Sequence, residues 1–248
     1  MPTFTRGDVT LNYEEFGAGY PLLLIAPGGM RSEIGFWARM PFNPTVEFAA
    51  NFRVIAMDQR NAGQSRAPLS AADGWQSYTA DQLALLDHLG IERCHIMGGC
   101  IGSSYCLGLI QAAPARISAA VLQNPIGLSA DNGANFIGMF DDWGAEMQKD
   151  GRPGATPANL NAFRANMFGG EFVFAVSRDF VRSCTTPLLV LAGNDPFHPT
   201  ATAREIADLA PNADLLLTWA TPDVVGETVS RVRAFLEGAV SSRQTATV

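Results

Sequence analysis

Cys100 stands in the stretch HIMGGCIGSSY, residues 95–105, with glycines two places before and two places after it. A buried-strand pattern precedes it and a helical pattern follows, so it falls at a strand-to-helix turn. Small residues at Gly98 and Gly102 allow backbone segments to approach through a tight turn that lifts the central side chain above the sheet edge. A thiol placed there lies at a helix N-terminus, whose partial positive charge favours thiolate. Thiolate is a strong nucleophile and needs less help from a base than a hydroxyl does. The amide of the next residue, Ile101, is then free to face an oxyanion. The chain has three histidines to serve such a thiol: His88, His95 and His198. His88 lies near the end of the helical stretch LLDHLG and reads as a surface residue that complements the C-terminal dipole. His95 lies inside the strand leading to Cys100 and reads as a packed core histidine. Cys94, Cys106 and Cys184 form no C-x-x-C pair and read as small buried hydrophobes.

The elements that must position these groups alternate along the chain. Apolar runs of strand length occupy 9–17, 21–27, 52–58, 93–99, 117–124, 187–194 and 213–220, the first with an antiparallel alternation. Between them the spacing predicts helices over 78–90, 101–113, 201–210 and 223–238, with Gly90 as a stop for the first and Pro199 as a start for the third. This rhythm implies an α/β fold with a mostly parallel sheet and helices on both faces. The core is expected over 1–125 and 184–238, with residues 239–248 a loose tail. Residues 126–183 break the rhythm. They are rich in Phe, Met and Trp, and read as a helical cap or lid over the sheet. Phe136, Phe140 and Trp143 are candidates to line an apolar pocket there, or simply to pack the insertion onto the body.

Composition excludes several classes. The 248 residues carry a net charge of −7 and no run of Lys or Arg, which argues against nucleic acid and anionic membrane surfaces. No apolar run is long enough to span a bilayer. No secretory leader is visible, and the cytoplasm is the expected compartment.

The order of motifs resembles the α/β-hydrolase superfamily over roughly residues 4–238, which implies that the mostly parallel sheet has eight strands. Pro27-Gly28-Gly29 follows an early strand. Asp58-x-Arg60-Asn61-x-Gly63-x-Ser65 follows the next, with Asn61 where the pattern has glycine. Gly98-x-Cys100-x-Gly102 and Gly193-Asn194-Asp195 complete the series. The resemblance implies Cys100 as nucleophile in place of serine, and an oxyanion hole of the Ile101 amide with that of Gly29 or Met30. It also implies Asp195 as the acid. The histidine that normally follows the last strand is missing, because that loop reads LLLTWATPDVVGE. His198, three residues past Asp195, is the remaining candidate for a relocated base, with a solvent-facing histidine as the alternative. Asp195 either orients His198, faces Cys100, or faces the loop from Trp219 to Asp223. Asn124 and Trp219 are further candidates for substrate contact, although Asn124 before Pro125 is also an ordinary turn starter. Arg60 reads as a structural donor, and Asp223 and Glu227 as helix N-terminal acids.

The expected activity is cysteine-dependent hydrolysis of an ester, lactone or related carbonyl, or of a C–C bond, in a small apolar or aromatic molecule. Two other readings stay open: acyl transfer or lyase/isomerase chemistry on the same fold, and an inactive ligand-binding protein. No cofactor or metal is expected. A small-molecule substrate is the expected partner, and a homodimer is left open as an assembly.

Overall fold

The computed structural model describes residues 2–244, with side chains through residue 240. Eight strands form one sheet: β1 (Thr3–Arg6), β2 (Val9–Phe16), β3 (Tyr20–Ile25), β4 (Phe52–Met57), β5 (Cys94–Gly99), β6 (Ile117–Gln123), β7 (Leu188–Leu191) and β8 (Ala213–Leu216). Eight helices accompany them: α1 (Pro44–Glu47), α2 (Trp75–His88), α3 (Ile101–Ala112), α4 (Gly133–Lys149), α5 (Pro157–Phe168), α6 (Arg178–Ser183), α7 (Thr200–Leu209) and α8 (Val225–Gln244). The spatial order is β1-β2-β4-β3-β5-β6-β7-β8. β1 and β2 run antiparallel, and the remaining neighbours from β4 to β8 run parallel.

The continuous apolar runs are explained by coverage of both sheet faces. Leu22, Leu23, Leu24 and Ile25 are all fully buried, as expected for a central parallel strand. Leu23 and Ile25 join Ile96, Tyr105, Leu107 and Ile110 on one face. Leu22 and Leu24 join Trp37, Phe48, Val232 and Leu236 on the other. Each such aliphatic side chain contributes about 1.5–3 kcal/mol by leaving water.

Some boundaries differ from expectation for local reasons. β1 went unread because its four residues are mostly exposed and lack apolar alternation. β7 and β8 are shorter than their apolar runs. The chain leaves the sheet after Leu216, and the Trp219 indole N–H donates to the Ala192 carbonyl at 2.7 Å. The loose tail expected over 239–248 is corrected over 239–244, where α8 continues with Ala239 packed against the core. Residues 245–248 lie outside the described residues. α4, α5 and α6 all fall between β6 and β7, in the stretch that breaks the strand–helix rhythm.

His95 is a core residue, as expected. It is fully buried in β5, its ring 4.6 Å from that of Tyr20 and 6.0 Å from that of Phe52. Burial outweighs a backbone contact with Leu236 and lowers its pKa from 6.5 to about 4. The unfolded chain therefore takes up a proton below about 6.5 that the folded chain refuses. Stability should fall as the pH drops through that window, by up to ~3 kcal/mol from this residue. Chemical denaturation of His95→Leu between these limits should show a flatter loss than wild type; parallel curves would assign acid lability elsewhere.

Candidate active site

The turn that carries Cys100 has no room for larger neighbours. A Cβ on Gly98 would meet the Gly102 carbonyl oxygen at 2.1 Å, and one on Gly102 would meet the Ile25 carbonyl oxygen at 2.2 Å. Cys100 itself adopts φ 56° and ψ −121°, a left-sided conformation that is costly for a residue with a side chain. The surrounding backbone holds it there. The Cys100 amide donates to Gln123 O at 2.8 Å, and the Ser103 hydroxyl donates to Gly98 O at 2.9 Å and Gln123 O at 3.1 Å. The thiol is half-buried at the N-terminus of α3.

The loop after β7 carries the acid–base pair. Asp195 Oδ1 accepts from the amides of Phe197 at 2.9 Å and His198 at 3.1 Å, so the loop turns back on its own carboxylate. His198 Nδ1 lies 2.8 Å from Oδ1 and 2.7 Å from Oδ2 of Asp195. A carboxylate at Nδ1 fixes the proton on that nitrogen when the ring is neutral. Nε2 is buried without a hydrogen bond of ordinary geometry, and the Cys100 thiol is the other side-chain neighbour acting on the ring. Gly193 is required beside it, since a Cβ there would lie 2.3 Å from His198 Cβ.

Thiol and imidazole shift each other in opposite directions. Burial lowers the His198 pKa, but Cys100 and then Asp195 outweigh it and raise it from 6.5 to about 9. Burial raises the Cys100 pKa, but His198 and the backbone amides of Ile101 and Gly28 outweigh it, so the thiol lies below its ordinary 9.0. The two titrate as one coupled pair, and both shifts run towards thiolate and imidazolium. The carboxylate of Asp195 is also lowered: burial opposes this, and His198 and the two amides prevail.

The structure brings Cys100, Ile101, Asp195 and His198 together. Of the three alternatives for Asp195, it shows the contact with His198. The second amide near the sulfur belongs to Gly28, one place before the expected Gly29 or Met30. Gly29 begins a 3-10 turn through Arg31, and a Cβ on it would strike Met139 Sδ of α4 at 2.0 Å.

The candidate substrate contacts are placed differently. Phe136, Phe140 and Trp143 are essentially fully buried and pack among themselves and with Phe163, Phe168 and Phe174. They fill the helical insertion. Phe136 also meets Phe197, the neighbour of His198, edge-on at 5.2 Å. Trp219 is in the opposite core, against Phe42, with its indole spent on Ala192 O. Asn124, at φ 46°, lines a separate cavity of about 260 Å³ with Gly193, Asn194 and Thr218.

The neighbouring motif is structural. Asp58 accepts from Asn12 Nδ2, the Ile34 amide and the Gln64 amide, and Asn61 takes the left-handed conformation at φ 58°. Arg60 pairs with Asp81 at 2.7 Å and Asp73 at 2.8 Å in a buried cluster.

Residues 21–157 match the family model described as the alpha/beta hydrolase fold. The chain belongs to that family. Among curated relatives, "Putative carbamate hydrolase RutD" of Azorhizobium caulinodans is 36% identical over 128 residues, covering 50% of this chain but only 44% of its own length. The 2-hydroxymuconate semialdehyde hydrolase of a Pseudomonas species is 29% identical over 147 residues, covering 57% of this chain and 50% of its own. Among solved structures, a meta-cleavage product hydrolase from Pseudomonas fluorescens aligns with a TM-score of 0.71 at 19% identity, over 96% of this chain and 98% of that one. An enol-lactonase from Burkholderia xenovorans aligns at 0.67 and 19%, over 95% of this chain and 100% of that one. These structural likenesses establish the fold. None of the described helices is long and apolar enough to cross a membrane.

One residue that the sequence did not single out holds the acid–base loop. The buried Asn132 amide donates from Nδ2 to Gly127 O and to Pro196 O, both at 2.8 Å, and accepts from the Ser129 amide at 2.8 Å. It ties the approach to α4 to the loop between Asp195 and His198. Asn132→Ala and Asn132→Asp both lose the two donors, while the aspartate keeps the acceptor for Ser129. Both should move the pH profile of Cys100 alkylation by iodoacetamide towards alkaline pH, with slower reaction at neutrality. An unmoved profile in folded variants would restrict Asn132 to stability.

Proposed function

We propose that this protein is a cysteine-dependent hydrolase of esters, lactones or related carbonyl compounds. The single observation that supports it most is the His198 ring between Asp195 and the Cys100 thiol. That is the arrangement of nucleophile, base and orienting acid needed for acyl transfer.

The steps follow from that geometry. The Cys100 thiolate adds to the substrate carbonyl carbon, and the electron pair of the C=O bond moves to oxygen. The amides of Ile101 and Gly28 are placed to stabilise the oxyanion. Collapse of the adduct expels the alcohol portion, which takes the proton from the His198 imidazolium, and leaves a thioester on Cys100. Neutral His198 then removes a proton from water as it attacks the thioester. The thiolate departs with the bonding pair, the acid is released, and the imidazolium is restored. Asp195 keeps the ring oriented and stabilises its charge throughout. Removing such a base commonly costs 10²–10⁴-fold in rate.

The hydrolase names among the relatives support this class, and their carbamate and C–C bond substrates belong to those proteins. We extend the reading to the insertion spanning 126–183 as a cap over the site.

Intact mass after mixing with p-nitrophenyl acetate provides the test. Wild type should show a transient acetyl adduct, Cys100→Ala none, and His198→Ala an adduct that clears at least about a hundredfold more slowly. Turnover that persists in Cys100→Ala would overturn the proposal, as would a wild type that neither acylates nor turns over across varied activated esters.

A further inference from the structure

A second cavity, of about 390 Å³, opens between the 31–39 turn, the 61–66 loop and the second half of α4. Its lining is unusual for a chain of net charge −7. Four guanidinium groups converge there: Arg31, Arg39, Arg66 and Arg152. Arg31 is paired with Glu146 at 2.6 Å, and Arg39 lies over the Phe36 ring at 4.8 Å. Arg66 donates to the carbonyls of Gly63 and Ser65, each at 2.7 Å. None of the ion pairs among the described residues involves Arg39, Arg66 or Arg152.

Two donors in this lining are stranded. Arg152 Nε and Asn61 Nδ2 are buried with no hydrogen-bond partner. A buried donor left unpaired costs on the order of 1–3 kcal/mol. Burial and then the nearby charge of Arg66 lower the Arg152 pKa, and together they outweigh the opposing pull of Asp150. Like charges gathered around unpaired donors call for an acceptor that carries negative charge.

We propose that this cavity binds the carboxylate of a small monocarboxylic acid with an apolar body. The guanidinium groups of Arg152 and Arg66 supply the donors. Glu33, Glu146 and Asp150 share the lining, so four guanidinium groups against three carboxylates leave one net positive charge. That balance suits a carboxylate better than a phosphate dianion. Phe36 completes the lining with accessible apolar surface for the rest of the molecule, backed by the buried Trp143 and Met147. Along the chain, Arg31 ends the 3-10 turn that starts directly after Gly28. Binding needs no thiol chemistry and stands apart from the proposed hydrolysis.

Titration calorimetry with benzoate tests it, with benzamide and inorganic phosphate as the uncharged and dianionic comparisons. Benzoate should bind one per chain and weaken with added salt, with benzamide and phosphate weaker by about tenfold or more. Arg152→Gln and Arg66→Gln should each weaken benzoate about tenfold, and Cys100→Ser should leave it unchanged. Arg66 is exposed, so its variant keeps the test open should Arg152→Gln fold poorly. Absence of saturable benzoate binding would overturn the proposal. Binding indifferent to both arginine variants would place benzoate elsewhere and overturn it equally. Phosphate binding as tightly as benzoate would show a general anion site and overturn the assignment to a carboxylate.

Discussion

The ring of His198 makes two opposed contacts, and the site depends on both. Nδ1 is held by the Asp195 carboxylate, and the opposite edge is left to the Cys100 thiol. Burial alone would keep the imidazole neutral and the thiol protonated. The two groups prevent this for each other, because each supplies the opposite charge in a place with little water. Neither shift would survive if the ring turned away.

Much of the surrounding fold serves that placement. The elbow holds Cys100 in a conformation that only a packed turn tolerates, and the two flanking glycines are needed because backbone oxygens occupy the space of a side chain. On the other side, Gly193 gives up its side-chain space to His198, and Asn132 fastens the carbonyl of Pro196. The hydrophobic insertion reaches the same loop through the contact of Phe136 with Phe197. The thiol therefore rests on the parallel sheet, while the imidazole rests on a loop braced by the insertion.

The sheet was legible in the sequence because central parallel strands are buried on both faces and appear as unbroken apolar runs. Leu22 to Ile25 is such a case. The elbow was legible because its glycine spacing reflects backbone crowding. A base at His198 was reached by elimination among three histidines, and the contact with Asp195 was one of three arrangements that the spacing allowed. Less could be read where distance along the chain decides. Asn132 lies 64 residues from Pro196, and nothing in the surrounding residues signals their hydrogen bond. That the Gly28 amide acts on the sulfur was not legible either, since the turn geometry of a glycine pair is not written in its composition. Aromatic side chains gave the least: Phe136, Phe140, Trp143 and Trp219 are equally suited to line a pocket or fill a core, and the structure uses them as filling.

The central claim is that Cys100 and His198 share an ion pair around neutral pH. Ultraviolet absorbance of the thiolate, titrated against pH in wild type, His198→Gln and Cys100→Ser, tests it most directly. The account predicts a thiolate signal in wild type at neutrality that is absent from Cys100→Ser and appears only at alkaline pH in His198→Gln. A wild-type signal that rises only at alkaline pH, superimposable on that of His198→Gln, would contradict it.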